Sequence, residues 1–340
     1  MQKSTCLLLA AALVLALGAC APKVKTKALV PAKFHEATSL KRIAVMPLEN
    51  DRGSLATSQT AAILADVRIA GKPYFDVVER EAMRQVVREQ ALGQTGVVDQ
   101  TTAQQTGQML GAEGIVMGAV TKNYVQDSPF TDTRSVCVRY DEDGYCDEYQ
   151  SRRVSCLKRT AVFAFTPKIV NVQTGRIAAA DTFEDMESKS VCETDGVSLP
   201  PGGVLLDKAR TKALNEFRNA VAPRYITVEI SLMKDDRDGC PEQAEDLIKQ
   251  GVTWAKEGRL DRACGIWRQA YDIYPQSLAA PYNLGVCAET AGDTDGALKY
   301  YKEADRHAME PEKLINEALT RVRQSQADQN RLRQQMEGRI

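Results

Sequence analysis

The sequence has few of the residues on which most catalytic and metal sites depend. Histidine occurs twice in 340 residues, as His35 and His307, which lie far apart in the chain. The GxSxG, HExxH, Walker and GxGxxG patterns are absent, and no CxxC pair occurs. The carboxylates Glu79 and Glu81 lie on an extended run and are expected to face solvent. We therefore expect no catalytic residue, no metal site and no cofactor.

An excess of positive charge is also missing. The chain has 44 Lys and Arg against 45 Asp and Glu, for a net charge of -1. A basic surface is the usual mark of a protein that binds nucleic acid, so we expect no nucleic-acid partner. The length of 340 residues and a hydrophobic content of 44% allow about two domains with real cores.

Charge is missing altogether from residues 4 to 21, which are rich in Leu and Ala. The strongly apolar part is too short for a spanning helix, which needs about 20 residues, and its composition is typical of a secretion signal. Its end, Leu17 to Cys20, resembles a bacterial lipoprotein box. That resemblance implies a signal peptide over residues 1–19, fatty acylation of Cys20 and attachment to a lipid membrane. Ala21 in place of an aspartate implies the outer membrane. Residues 20–40 are expected to form a flexible tether.

Seven cysteines follow the lipoprotein box, and an exported compartment permits disulfides. Cys137 and Cys146 enclose an Asp-Gly turn signal, so a hairpin tied across its strands is one prediction. Cys156 and Cys192 flank a second strand pair and are further disulfide candidates. Because seven is odd, at least one thiol is expected to be free or to pair with another chain.

Strand and helix patterns alternate from residue 41 to residue 232, which favours an α/β or α+β domain. The runs RIAVMPL, YFDVVER, GIVMGAVTKNYV and YITVEISL are predicted strands, and two further runs form a hairpin around QTGR. Helices are predicted over residues 54–71, 81–91, 101–110 and 204–221. In the last of these, one face carries Leu205, Ala209, Leu214, Phe217 and Val221.

The C-terminal part contains an internal repeat. Six residues recur at an offset of 34, the period of tetratricopeptide repeats (TPR). They are Gly251, Gly258, Asp261, Ala263, Trp267 and Ala270, echoed by Gly285, Gly292, Asp295, Ala297, Tyr301 and Ala304. We predict a linker over residues 233–242, an all-α domain of two TPR repeats over 243–310, and a capping or projecting helix over 311–340.

Tyr282 and Asn283 lie on the first helix of the second repeat, the helix that lines the concave face in this repeat class. There they are candidates for holding an extended peptide of a periplasmic or envelope protein. The alternative is that they pack or meet water without a special role.

Four motifs of the first domain occur in the order and spacing of the CsgG family: RIAVMPLEN, YFDVVERE, LGAEGIVMGAV and VNVQTGRI. Residues 41–232 therefore resemble that family, which includes the outer-membrane curli secretion channel and related lipoproteins. The resemblance implies a CsgG-like periplasmic α/β domain behind a lipidated cysteine. Channel members insert two hairpins per subunit into the membrane, and residues 126–158 and 182–202 are the corresponding segments here. Both segments carry charge where a lipid-facing row would need apolar residues.

The sequence thus predicts a non-catalytic outer-membrane lipoprotein that faces the periplasm and binds proteins through its CsgG-like domain and its repeats. A homo-oligomer is left open. Two alternatives remain. One is a curli-type secretion channel subunit that forms an outer-membrane pore, and the other is a lipoprotein that activates a peptidoglycan synthase.

Overall fold

The computed structural model describes residues 22–78, 100–236 and 239–337. These residues form two compact units. The sheet unit comprises Leu29–Tyr225 and the described residues from Asp328 onward. The helical unit comprises the described residues up to Ala28 and Ile226–Ala327.

The described strands are β1 (Lys23–Val30), β2 (Arg42–Val45), β3 (Arg68–Ile69), β4 (Lys72–Pro73), β5 (Asp76–Val77), β6 (Gly114–Tyr140), β7 (Cys146–Asn171), β8 (Ile177–Ala180), β9 (Phe183–Cys192) and β10 (Arg224–Ser231). The described helices are α1 (His35–Thr38), α2 (Leu55–Ala65), α3 (Gln100–Met109), α4 (Gly202–Val221), α5 (Glu242–Lys256), α6 (Leu260–Ile273), α7 (Ala279–Thr290), α8 (Thr294–Arg306) and α9 (Lys313–Met336), with a 3-10 turn at Arg52–Ser54.

A mixed sheet forms the centre of the sheet unit. Its strand order is β5-β2-β6-β7-β8, and β9 also pairs with β7. Strand β2 is parallel to β5 and β6, whereas β7 is antiparallel to β6, β8 and β9. The predicted mixed α/β domain and helical C-terminal region are confirmed.

Both faces of this sheet are covered near its centre. On one face, Phe165 of β7 and Phe183 of β9 pack on Phe217 of α4, with ring centroids 5.8 and 5.6 Å apart. On the other face, Ile115 and Met117 join the apolar cluster at the end of α3. The predicted apolar face of α4 is confirmed, because all five of its residues are buried: Leu205, Ala209, Leu214, Phe217 and Val221.

Two sequence predictions need correction. The helix expected over 54–71 ends at Ala65, because Ala70 and Gly71 have φ of 51° and 79° and form the tight turn between β3 and β4. The expected tether contains β1, which pairs with β10, and Lys23 and Lys25 bond to Glu229 at 3.2 Å. The alternation of lysine and apolar residues in KVKTK is a strand period. The helix predicted over 81–91 lies outside the described residues.

The predicted linker is also partly wrong. Met233 is buried in the core of the helical unit together with Ile230 and Leu232. Asp236 accepts bonds from the backbone N–H groups of Leu278 and Ala279 at the start of α7. Residues 233–236 are therefore part of the folded helical unit.

Candidate interaction surfaces

The hairpin of β6 and β7 extends far past the core of the sheet unit. The register shifts between Val120 and Lys122, and from residue 121 to residue 131 every side chain of β6 is exposed. Such a shift is a bulge, which bends and twists a strand. At about 3.3 Å per residue, residues 121–140 form an arm about 60 Å long. We use the name arm for residues 121–158 together with residues 190–192 of β9, which pair with residues 156–158 of β7.

Two disulfides tie the arm together. Cys137 and Cys146 join β6 to β7 beside the turn, and Cys156 joins β7 to Cys192 of β9. The second bridge is buried and packs with Val154 in a small apolar cluster. An isolated two-stranded hairpin is marginally stable in water. The two disulfides therefore give the arm stability that other parts of the protein gain from a hydrophobic core.

Ion pairs run along both faces of the arm. Arg159 donates to both carboxylate oxygens of Asp127, at 2.7 and 2.6 Å. Hydrogen bonding to Arg159 lowers the pKa of Asp127 below its usual value. Arg134 bonds to Asp132 and to Asp195, each at 2.9 Å. The arm thus presents paired charges of both signs.

The helical unit is built from helices that approach closely at glycine. A Cβ added to Gly251 of α5 would lie 2.6 Å from Cδ1 of Trp267 on α6. A Cβ added to Gly285 of α7 would lie 2.5 Å from Cε1 of Tyr301 on α8. The two contacts are 34 residues apart in sequence on both sides. The repeated residues therefore make the same contact twice.

A buried polar cluster lies beside the second contact. Tyr301 donates its hydroxyl to Oε2 of Glu289 at 2.6 Å, and Nε of Arg321 on α9 donates to Oε1 at 2.6 Å. Burial raises the pKa of Tyr301, and the carboxylate of Glu289 raises it further. Burial lowers the pKa of Arg321, but the hydrogen bond and the charge of Glu289, together with Tyr301 and Tyr282, outweigh burial and raise the pKa overall. The pair fixes α9 on α7.

The chain's own backbone lies against α7. The side-chain amide of Asn283 donates to the carbonyl of Met233 at 2.7 Å and accepts from its N–H at 3.0 Å. The hydroxyl of Tyr282 donates to the carbonyl of Ser231 at 2.9 Å. Residues 231–233 are therefore held in the manner in which an extended peptide would be held.

The family model described as curli production assembly/transport component CsgG matches residues 16–199, which is more than half of the chain. The chain belongs to the CsgG family.

Three solved structures are similar to this CsgG-family chain at low sequence identity. Lipoprotein GNA1162 from Neisseria meningitidis is 14% identical, with a TM-score of 0.30, over 53% of this chain and 99% of that one. The hypothetical protein CT253 from Chlamydia trachomatis is 8% identical, with a TM-score of 0.29, over 53% and 98%. The PelC dodecamer from Paraburkholderia phytofirmans is 12% identical, with a TM-score of 0.23, over 59% and 99%. No curated protein matches the sequence.

Tyr282 and Asn283 do not lie where the sequence placed them. Tyr282 is 1% exposed and Asn283 is 0% exposed, because residues 231–233 cover them. The prediction that they face a partner peptide is therefore wrong. Sequence reasoning missed the covering segment because it interpreted residues 233–242 as a linker.

The cysteines are placed as follows. Cys20 lies outside the described residues. Cys137 is paired with Cys146 and Cys156 with Cys192, so the four candidates form the two bridges that their positions suggested. Sequence reasoning missed a third bridge, between Cys264 of α6 and Cys287 of α7. The only signal for it was that both cysteines lie within the repeats, close to Ala263 and Gly285.

Cys240 is the free cysteine of the described part of the chain. Burial raises the pKa of its thiol to about 11, and the carboxylates of Asp236 and Glu245 add to the shift. A thiol with such a pKa is almost fully protonated near neutral pH and is a weak nucleophile.

Two absences hold for the described residues. Over residues 22–78, 100–236 and 239–337, no helix is both long and apolar enough to cross a bilayer. The same ranges hold no group of three or more His, Cys, Asp or Glu side chains that could bind a metal ion.

Proposed function

We propose that this chain is a non-catalytic outer-membrane lipoprotein that faces the periplasm and acts in the assembly of envelope proteins. Acyl chains on Cys20 would anchor it, because two or more chains hold a protein stably at a membrane. The CsgG-family domain and the helical unit would then bind protein partners near the lipid surface.

The observation that carries this proposal is the arm. Its strands continue well past the core and are tied by two disulfides, so the arm is a stiff and exposed protein surface. Exposed strand edges and ordered side chains are features by which sheets recognise other chains. A surface of this kind suits a component that positions other proteins.

We propose that α5–α8 are two tetratricopeptide repeats and that α9 caps them. The matched contacts of Gly251 with Trp267 and of Gly285 with Tyr301 support this assignment, as does the 34-residue offset. The buried Ile315, Ala318 and Val322 of α9 cover the last repeat in the way that a capping helix does. Because residues 231–233 already cover Tyr282 and Asn283, partners of this region would bind elsewhere on the helices.

The composition of the arm favours assembly over pore formation. Midway along the arm, Asp132 and Arg134 of β6 and Arg152 of β7 lie on one face, and Arg153 of β7 lies on the other. A charged residue facing the middle of a bilayer costs up to about 2–4 kcal/mol.

Conductance measurements test the proposal. The full chain, purified in detergent from the membrane fraction, is added to planar bilayers, with detergent alone as the control. We expect no single-channel currents above the control. Discrete currents that scale with protein concentration would contradict the proposal and favour a secretion channel subunit.

A further inference from the structure

In the part of the chain that the structure describes, the outer edge of β6 along the arm is unpaired. Strand β2 pairs with β6 from Gly114 to Val116 and no further, and one bridge joins Glu49 to Ala119. Among the described residues, no strand pairs with this edge from Lys122 to Tyr140. A long free edge is a template for a further strand unless lysines, prolines or bulges guard it. Between residues 126 and 136 there is no lysine and no register shift with β7, and there is one proline, Pro129. Register shifts occur beyond this stretch, between Cys137 and Arg139 and between Arg139 and Tyr140.

The charges of this stretch are opposite in sign about Thr133. Asp132 and Arg134 lie one residue from it on either side, and Asp127 and Arg139 lie six residues from it. An antiparallel pair of two β6 strands with a two-fold axis at Thr133 brings Asp132 of each copy beside Arg134 of the other. Phe130 then meets Val136, and the register shift that follows Cys137 leaves Arg139 outside this regular pairing. Such complementarity mainly fixes the register, because exposed ion pairs contribute little affinity.

The backbone at the axis is prepared for this pairing. The N–H of Thr133 bonds to Oδ1 of Asp132 at 2.9 Å, and Oδ2 of the same carboxylate accepts from Nε of Arg134 at 2.9 Å. The N–H of Thr133 therefore has a side-chain partner, which it can exchange for a strand carbonyl. The exchange frees one oxygen of Asp132 for Arg134 of the second copy. Thr131, Thr133 and Ser135 are exposed and small, so two backbones can approach there.

Pro129 disfavours a register centred on itself. Proline has no N–H, so an axis at residue 129 would place two missing donors opposite each other at the centre of the pair. With the axis at Thr133, each Pro129 lies opposite Cys137 near the end of the paired stretch. The hydrogen bond that proline cannot donate is then missing only near the end of the paired stretch, and the residues at its centre keep their N–H donors.

We propose that a second copy of this chain pairs with β6 through β6, antiparallel and about a two-fold axis at Thr133. This inference deepens the proposed assembly function by naming one partner, and it is tested by a readout that does not depend on the membrane anchor. The interface is isologous, so it closes as a dimer and does not extend into a filament.

Cysteine cross-linking tests the register. In the full chain carrying Cys240→Ser, Thr133→Cys places two thiols at the axis. Residues directly opposite in antiparallel strands have Cα atoms about 4.5–5.5 Å apart, within the range of about 4.4–6.8 Å that a disulfide bridges. We expect a dimer on a non-reducing gel that disappears on reduction. Thr131→Cys should give at least about tenfold less cross-linked dimer, because its two copies lie four residues apart along the strands, about 14 Å at about 3.4 Å per residue.

Two further variants complete the test. Thr131→Cys with Ser135→Cys should restore the cross-link, because these residues are opposite each other in this register. Thr133→Pro removes the central donor while the intramolecular ladder keeps its bonds, so it should halve the mass measured by light scattering in detergent. Equal cross-linking of the Thr131 and Thr133 variants, or no cross-link of either, would overturn the proposal. Either result leaves the anchor and the absence of conductance untouched, so failure of this inference is distinct from failure of the proposed function.

Discussion

At the scale of single residues, two glycines determine how closely the helices of the helical unit pack. Gly251→Ala and Gly285→Ala each push a Cβ into an aromatic ring that is 0% exposed, Trp267 or Tyr301. Overpacking of this kind costs about 1–3 kcal/mol. We expect each variant to lower the free energy of unfolding by that amount in urea titrations of the full chain. Both tryptophans of the sequence, Trp254 and Trp267, lie in the helical unit, so their fluorescence reports on it.

A third glycine serves as the matched control. Gly265 lies on α6 and has no atom within 4 Å of an added Cβ. Gly265→Ala should therefore stabilise the unit by about 1 kcal/mol through helix propensity alone. Equal effects of the three substitutions would show that the close helix contacts are wrong.

Asn283 is expected to stabilise the fold without contacting a partner protein. Asn283→Ala removes both bonds to Met233 and leaves its buried N–H and carbonyl unpaired, which should cost about 2–3 kcal/mol by tryptophan fluorescence. Gln269→Ala, on the exposed side of α6, should stay within about 0.5 kcal/mol. Unchanged stability of the Asn283 variant would indicate that residues 231–233 do not bind this helix.

The stability of the helical unit should fall at alkaline pH. Burial raises the pKa of Tyr282 from 10.0 to about 12, so the unfolded chain ionises first. The contribution of Tyr282 to the free energy of unfolding is complete below pH 10.0 and is lost as the pH rises through about 12. At about pH 11 the loss should be about 1 kcal/mol. Tyr282→Phe should reduce the slope of the free energy of unfolding against pH, and an unchanged slope in this variant would contradict the assignment.

At the scale of elements, the arm depends on its terminal disulfide. Replacing Cys137 and Cys146 by serine removes a bridge across nine residues, and closing so short a loop contributes about 3 kcal/mol in the chain-entropy account. We expect trypsin to cut this variant at Arg139, Arg152 or Arg153 several times faster than the wild type. The double variant Cys264→Ser with Cys287→Ser should leave cleavage of the arm unchanged. Faster cleavage in both variants would indicate general unfolding.

The sequence predicted elements better than it predicted their extent. Alternation located β6 and β7, and the Asp-Gly signal located their turn, because period and turn chemistry are local properties. Periodicity did not predict the length of the arm, since a strand with polar residues on both faces has no hydrophobic period to extend. Only the resemblance to the CsgG family marked residues 126–158 as an inserted segment. The covered state of Asn283 could not be predicted either, because it depends on a segment fifty residues away. In the helical unit, the 34-residue offset located the aromatic contacts, because a repeat carries tertiary information in its sequence.

At the scale of the whole molecule, the location in the cell is expected to depend on Cys20. We expect mass spectrometry of the wild type from a Gram-negative host to show a chain beginning at an acylated Cys20. The protein should be found in the outer-membrane fraction of a density gradient. Cys20→Ala should leave the protein unacylated and shift it out of that fraction. An unprocessed N-terminus in the wild type would contradict the anchor.

The order of the disulfides has a consequence for oxidative folding of an exported chain. Thiols that emerge in sequence order and pair with the next thiol give Cys137–Cys146 and Cys156–Cys192 directly. Cys240 interrupts this order, because its next neighbour is Cys264, whose native partner is Cys287. If thiols are oxidised in the order in which they emerge, Cys240 pairs first with Cys264, and that bond must be exchanged before Cys264 can pair with Cys287. We therefore expect the helical unit, but not the arm, to depend on a disulfide isomerase.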